Sequence, residues 1–182
     1  MGTNEVVLVN EKDEVLGTME KLRAHEEGVL HRAFSVIIFN SKGEMLIHQR
    51  AIDKYHCGGL WTNACCSHPR LNESPKEGAE RRLNEEMGFS VPVEYIGSFI
   101  YKIDFENGLT EHEFDHMFCG RFDGTPEHNQ AEVEKWKYVS VEKLLKDVEE
   151  QPESYTFWFR DILKNRIQEL IRYDQGRKKN NI

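Results

Sequence analysis

Ser74-Pro75-Lys76-Glu77-Gly78-Ala79-Glu80-Arg81-Arg82-Leu83-Asn84-Glu85-Glu86-Met87-Gly88 carries its own start and stop. Ser74 can accept a hydrogen bond from the first turn, and Glu77, three residues on, can reach back in a capping box. Pro75 suits the first helical position, where a missing N–H costs nothing. Gly88 suits the left-handed residue that ends a helix. The spacing predicts a helix over 75–87. Ala79, Leu83 and Met87, at i, i+4 and i+8, form its apolar stripe. Arg82 and Glu86, also four apart, share a different face.

Around this helix the pattern is mostly strand. Residues 6–9 and 15–18 read as short strands about the polar turn 10–14. Residues 33–39 are apolar except for Ser35, and 45–48 follow after Asn40-Ser41-Lys42-Gly43, a stretch with hairpin chemistry. Tyr95, Phe99, Tyr101, Ile103 and Phe105 share one parity, which predicts a long strand over 95–105. In 114–122, Phe114, Phe118 and Phe122 share one face, and Glu111, Glu113 and Asp115 share the other. The aromatic face is expected to be core and the carboxylate face not. Helices are expected over 141–149 and 157–173. Residues 176–182 form a basic, polar tail expected to fray, leaving 1–175 as one domain. Strands outnumber helices in mixed order, an α+β class.

Composition narrows the function classes. At 182 residues one domain is expected, long enough to bury a core unaided. Hydrophobic residues at 38% and charged residues at 31% suit a globular protein. A net charge of -8 argues against nucleic acid, which needs a basic face. An anionic small substrate remains compatible if a few cations gather locally. No apolar run approaches membrane-spanning length, and Met1-Gly2-Thr3-Asn4-Glu5 lacks the layout of a secretion signal. Cys57, Cys65, Cys66 and Cys119 show no framework spacing, so free thiols in a reducing cytoplasm are expected. A monomer or weak homodimer is expected.

Two clusters carry chemistry. Leu60-Trp61-Thr62-Asn63-Ala64-Cys65-Cys66-Ser67-His68-Pro69 sets a thiol two residues from an imidazole. Glu111-His112-Glu113 follows at strand spacing. Thiols, imidazoles and paired carboxylates move protons and hold metals.

Glu73, then Arg81-Arg82-Leu83-Asn84-Glu85-Glu86-Met87-Gly88-Phe89, resembles the Nudix box, a signature of diphosphate chemistry. Two positions depart from it. Ser67 stands at the first Gly, and Arg82 stands where Nudix hydrolases carry a metal-binding Glu. A cation there should weaken a multi-metal hydrolytic site. Trp61-Thr62-Asn63, Cys66-x-His68-Pro69, Glu111-x-Glu113 and Trp158 together resemble type 1 isopentenyl-diphosphate isomerases, over about residues 6–158. The resemblance implies a Nudix-like α/β/α sandwich with a mixed sheet. It implies interconversion of isopentenyl and dimethylallyl diphosphate for isoprenoid biosynthesis.

By that resemblance Cys66 and Glu113 are the catalytic acid/base pair, and Tyr101 hydrogen-bonds Glu113. Moving the double bond needs one proton added and one removed across a tertiary carbocation, in a pocket that excludes water. Trp158 faces the cation with its ring. Cys65 is the rival thiol, and register against His68-Pro69 assigns it to packing. His25, His31 and His68, with Glu111 and Glu113, match the family's metal ligands. That donor set leaves the divalent ion open among Mn2+, Zn2+ and Mg2+. Ordering of the early stretch bearing His25 and His31 is expected to be coupled to that metal. Lys21, Arg50, Lys54 and Arg82 match the diphosphate-binding cations, and Glu86 matches the carboxylate that holds a diphosphate-bound Mg2+. His48, His56, His112, His116 and His128 are read as structural or solvated.

Two rivals remain at this stage. A Nudix diphosphohydrolase would release phosphate without needing Cys66 or the histidines, and Arg82 counts against it. A non-catalytic metal- or ligand-binding domain would bind without turnover.

Overall fold

The computed structural model describes residues 4–54 and 56–179. Its centre is β3 (His31–Phe39), the apolar run marked in the sequence. Near-continuous apolarity is what a strand covered on both faces needs. Phe34, Val36 and Ile38 enter one core with Leu46, Phe118 and Val133. Ile37 and Phe39 enter a second core with Ile47, Met117 and Cys119.

β8 (Thr110–Arg121) lies parallel to β3, with His31 opposite Glu113 and Ser35 opposite Met117. β7 (Glu94–Asp104) pairs antiparallel with β8. On the other side β3 turns into β4 (Glu44–Arg50). β4 then pairs with β9 (Val133–Ser140) and with the short β5 (Trp61–Thr62). β6 (Cys65–Ser67) pairs antiparallel with β3. The hairpin β1 (Glu5–Val9) and β2 (Val15–Glu20) joins where Leu8 pairs His31.

Helices cover both faces. α2 (Pro75–Met87) has the expected capping box and buries Ala79, Leu83 and Met87 in the first core. Fully burying a side chain the size of Leu83 or Met87 stabilises by about 1.5–3 kcal/mol. Gly88 ends the helix at φ 75°, and a Cβ there would run into the Glu127 carbonyl. The second core is closed by α3 (Val141–Glu150), α4 (Phe157–Asn165) and α5 (Ile167–Lys179). The result is the expected α/β/α sandwich with a mixed sheet.

Several local expectations are corrected. The strand over 95–105 contains a β-bulge between Tyr95 and Gly97. One extra residue flips parity, so Tyr95 is 57% exposed while Phe99 and Tyr101 are buried. The helix expected over 157–173 is broken at Arg166, whose φ/ψ of -127°/7° is not helical. The break lets Ile162 and Leu170 reach the same core from two helices. The chain stays helical through Lys179, past the point where fraying was expected; residues 180–182 lie outside the described residues. The carboxylate face of β8 is more buried than the aromatic one: Glu111, Glu113 and Asp115 are 3%, 3% and 0% exposed, while Phe114 and Phe122 are half-buried. Finally, α1 (Lys21–Glu27) has no Ser or Thr cap to announce it. Glu20 caps its start and the left-handed Gly28 its end.

Candidate active site

Strand register assembles the site. In β3, His31 and Ser35 share the odd-numbered face. Across the ladders, His31 pairs Glu113, Glu113 pairs Tyr101, and Ser35 pairs Cys66. One face of four strands therefore carries an imidazole, a carboxylate, a phenol and a thiol. The carboxylate, phenol and thiol border a cavity of about 60 Å³, whose walls include Cys66, His68, Tyr101, Glu111, Glu113 and Trp158.

Adjacent cysteines in a strand point to opposite faces. Cys65 is fully buried in the core under α2, while Cys66 borders the cavity. Burial, then the nearby Glu113 and Asp115 charges, push the Cys66 thiol well above its usual range, so it keeps its proton. Ser35 Oγ lies 3.6 Å from Cys66 Sγ and donates to Asp115 Oδ2 at 2.7 Å. Tyr101 donates its hydroxyl to Glu113 Oε2 at 2.6 Å. Burial also holds that phenol neutral, as a donor must be.

His25, His31, His68 and Glu113 each offer one ligand atom, and all four atoms lie within 4.8 Å of one another. His25 sits on α1 and His31 opens β3. Their rings are fixed from behind. His25 Nδ1 is 2.6 Å from the Lys21 carbonyl, and His31 Nδ1 is 2.8 Å from the Val29 carbonyl. A carbonyl only accepts, so each Nδ1 carries hydrogen and donates away from the site, leaving each Nε2 pointed into it. His31 Nε2 is buried without a hydrogen bond, 3.6 Å from Glu113 Oε1. With the rings neutral, as a metal needs them, the inward Nε2 lone pairs would repel the Glu113 carboxylate, and a cation between them would turn that repulsion into attraction. The set thus fits a divalent metal, with second-sphere carbonyls holding the ligands as metal sites require. Burial and Lys21 push His68 down to about 4, towards the neutral form a metal needs. Burial would raise Glu113, but His31 and His68 outweigh it and hold the carboxyl well below its usual range. Glu111 stands one place further out, with Oε2 3.2 Å from His25 Nε2.

The cations line the same cavity: Lys21, Arg50, Lys54 and Arg82. A wider cleft of about 280 Å³ shares Lys21, Lys54, His68 and Arg82 with it and opens past Arg70 and Arg81. Arg82 donates to Glu86 at 2.6 Å and to Glu85 at 2.9 Å. Burial pushes the Glu86 carboxyl up against the pull of Arg82. Arg81 forks onto Glu73, tying α2 back to its preceding turn. Trp158 donates its indole N–H to Thr62 at 3.0 Å, and the Arg50 guanidinium sits 5.5 Å from its ring centroid. The ring is therefore core packing and cavity wall at once.

Three further residues belong here. Glu132 pairs with Lys54 and, at 3.3 Å, with Arg82. His48 borders the cavity fully buried. His56, read as structural or solvated, places Nε2 2.7 Å from Glu111 Oε1. Only the Arg50–Arg82 spread of cations hinted at Glu132; nothing near His56 in the sequence marks it.

A family model for the NUDIX domain matches residues 29–159. The isopentenyl-diphosphate Delta-isomerase of Serratia proteamaculans is 45% identical over 160 residues, 88% of this chain and 89% of that protein. Isopentenyl-diphosphate Delta-isomerase 2 of Aromatoleum aromaticum is 47% identical over 155 residues, 85% and 82% of the two chains. Among solved structures, a Deinococcus radiodurans protein superposes with a TM-score of 0.73 at 20% identity, covering 88% of this chain and 97% of its own. The MutT protein from Methanosarcina mazei gives 0.62 at 22%, covering 82% and 96%. Those two likenesses concern the fold; the sequence relatives decide the family. The chain belongs to the isopentenyl-diphosphate Delta-isomerases, a family built on the NUDIX domain.

Proposed function

We propose that this enzyme interconverts isopentenyl and dimethylallyl diphosphate in isoprenoid biosynthesis, with Cys66 and Glu113 as its acid/base pair. The observation that carries the proposal is that strand register puts Cys66 and Glu113 on one cavity with Trp158 and four cations. Lys21, Arg50, Lys54 and Arg82 take the diphosphate, with Arg82 able to bind its oxygens in a fork. The hydrocarbon end then lies towards Cys66, Glu113 and Trp158. One of the pair adds a proton to the terminal alkene carbon. The other removes a proton from the carbon next to the diphosphate-bearing oxygen's carbon, so the net proton count is unchanged. Between the two steps a tertiary cation forms, which the Trp158 ring can face. Buried walls exclude the water that would trap it. Tyr101 holds Glu113 in place for its transfer.

His25, His31, His68 and Glu113, with Glu111 behind His25, would hold one divalent ion, Mn2+, Zn2+ or Mg2+. Glu86 would hold a diphosphate-bound Mg2+. When bound, these ions would polarise the Glu113 carboxyl and neutralise diphosphate charge. Four free cysteines support a reducing cytoplasm. A monomer or weak homodimer suffices, since one chain supplies every residue named.

The test is incubation of the purified protein with isopentenyl diphosphate and Mg2+ in D2O, followed by proton NMR. Dimethylallyl diphosphate appearing with deuterium incorporation supports the proposal. Phosphate release without isomerisation would replace it with the hydrolase, and no change in a folded, metal-replete sample with the binding domain.

A further inference from the structure

We infer that His56 is a positioning residue of the metal centre, fixing Glu111 from the loop that also carries Lys54 and follows Arg50 at the end of β4. The inference rests on the proposed His/Glu metal site. Glu111 has two oxygens with different neighbours. Oε2 faces His25 Nε2 at 3.2 Å, while Oε1 is taken by His56 Nε2 at 2.7 Å. A carboxylate only accepts, so His56 Nε2 donates, and its hydrogen bond leaves Oε2 as the oxygen turned towards the metal group. His56 and Glu111 both lie outside the four residues whose ligand atoms converge within 4.8 Å, with Glu111 beside them through His25. With Nε2 engaged by Glu111, His56 acts through that carboxylate, in the manner of the partners that orient metal-binding carboxylates.

The position is enclosed. The His56 side chain is 8% exposed, with its ring 6.0 Å from Phe105, 6.1 Å from Trp158 and 6.1 Å from His25. Its backbone carbonyl accepts from Arg50 Nη2 at 3.4 Å. One residue thus touches the metal-side carboxylate with its ring and a substrate-side cation with its backbone.

The test uses the full chain stripped of metal and titrated with Mn2+ alone by calorimetry, in four forms: parent, His56→Leu, His56→Gln and His25→Ala. His56→Leu should bind Mn2+ about 10–100-fold more weakly, the usual cost of losing such a partner. His56→Gln carries an N–H donor at matching reach and should restore affinity close to the parent's. Parent-like binding by His56→Leu, with binding weakened in His25→Ala, would overturn the inference and leave the metal site standing. Equal weakening in the Leu and Gln forms would also overturn it, because the donor would then not be what matters. Parent-like binding in all forms, His25→Ala included, would remove the metal-site reading beneath it.

Discussion

Cys65 and Cys66 are neighbours in β6 that face opposite layers, so alanine at each should damage a different property. Cys66 borders the cavity, opposite Ser35 in register. Removing one member of an acid/base pair costs about 10²–10⁴-fold in rate. At about 1.36 kcal/mol per tenfold, that is roughly 3–5 kcal/mol of barrier. The Cys66 sulfur meets the cavity on one side, so its loss should leave the melting temperature close to the parent's. Cys65 is fully buried against α2 and makes no wall of the cavity. Deleting one buried heavy atom costs about 0.5–1.5 kcal/mol. In a chain of this size each kcal/mol lowers the melting temperature by about 2–4 °C. Cys65→Ala should therefore melt a few degrees early and turn over normally. The assay is isomerisation followed by proton NMR at saturating isopentenyl diphosphate, beside thermal melts of both variants. Equal loss of turnover in the two would refute the assignment of the thiol. So would a Cys66→Ala enzyme that turns over like the parent.

Tyr101→Phe removes one hydrogen bond to a carboxylate and keeps the ring against Phe99 and Phe157. Such bonds are worth about 1.5–3 kcal/mol, so kcat should fall by about 10–100-fold; an unchanged kcat would remove Tyr101 from the mechanism. Arg82→Glu should raise KM for isopentenyl diphosphate, since it puts a fourth carboxylate among Glu85, Glu86 and Glu132; an unchanged KM would make Arg82 a structural charge only. Burial, then Arg50, push His48 down to about 3 from an ordinary value near 6.5. The unfolded chain thus binds the extra proton first, and stability is full above about pH 6.5 and is lost as pH falls towards 3, by up to about 1.4 kcal/mol per unit. Denaturant melts of His48→Gln should show a shallower loss over that window, and an identical slope would exclude His48 as a source of acid lability.

What the sequence made legible was local or parity-based. Ser74, Pro75, Glu77 and Gly88 mark α2 because capping is decided within one turn. The alternation of Glu111, Glu113 and Asp115 was readable because a strand repeats every two residues. Their burial was not, because it depends on α1 and α4 arriving from distant parts of the chain. Tyr95 was misplaced for a related reason, since a bulge is set by the partner strand and leaves no mark at the residue it flips. His56 and Glu132 were missed because a loop and a strand end bring them to Glu111 and Lys54. The motif residues Cys66, His68 and Glu113 were found through the family resemblance, and register across β3 then placed Cys66 and Glu113 on one face.

The position of Arg82 explains why this scaffold suits carbon chemistry. The related hydrolases carry a glutamate there, gathering carboxylates on the helix beside the diphosphate. Here a guanidinium 2.6 Å from Glu86 occupies that place and offsets the remaining negative charge. The carboxylates concentrate instead on β8, where His25 and His56 face Glu111, and His31 and His68 face Glu113. That strand lies across β3 from the Cys66 thiol, and Trp158 lines the same cavity. In the proposed mechanism the proton-moving groups are those at the buried end of the cavity, away from the cations. On the proposed function, a substrate held by the cations would present its hydrocarbon to those groups there, where buried walls would exclude water and let a carbocation survive long enough to lose a proton.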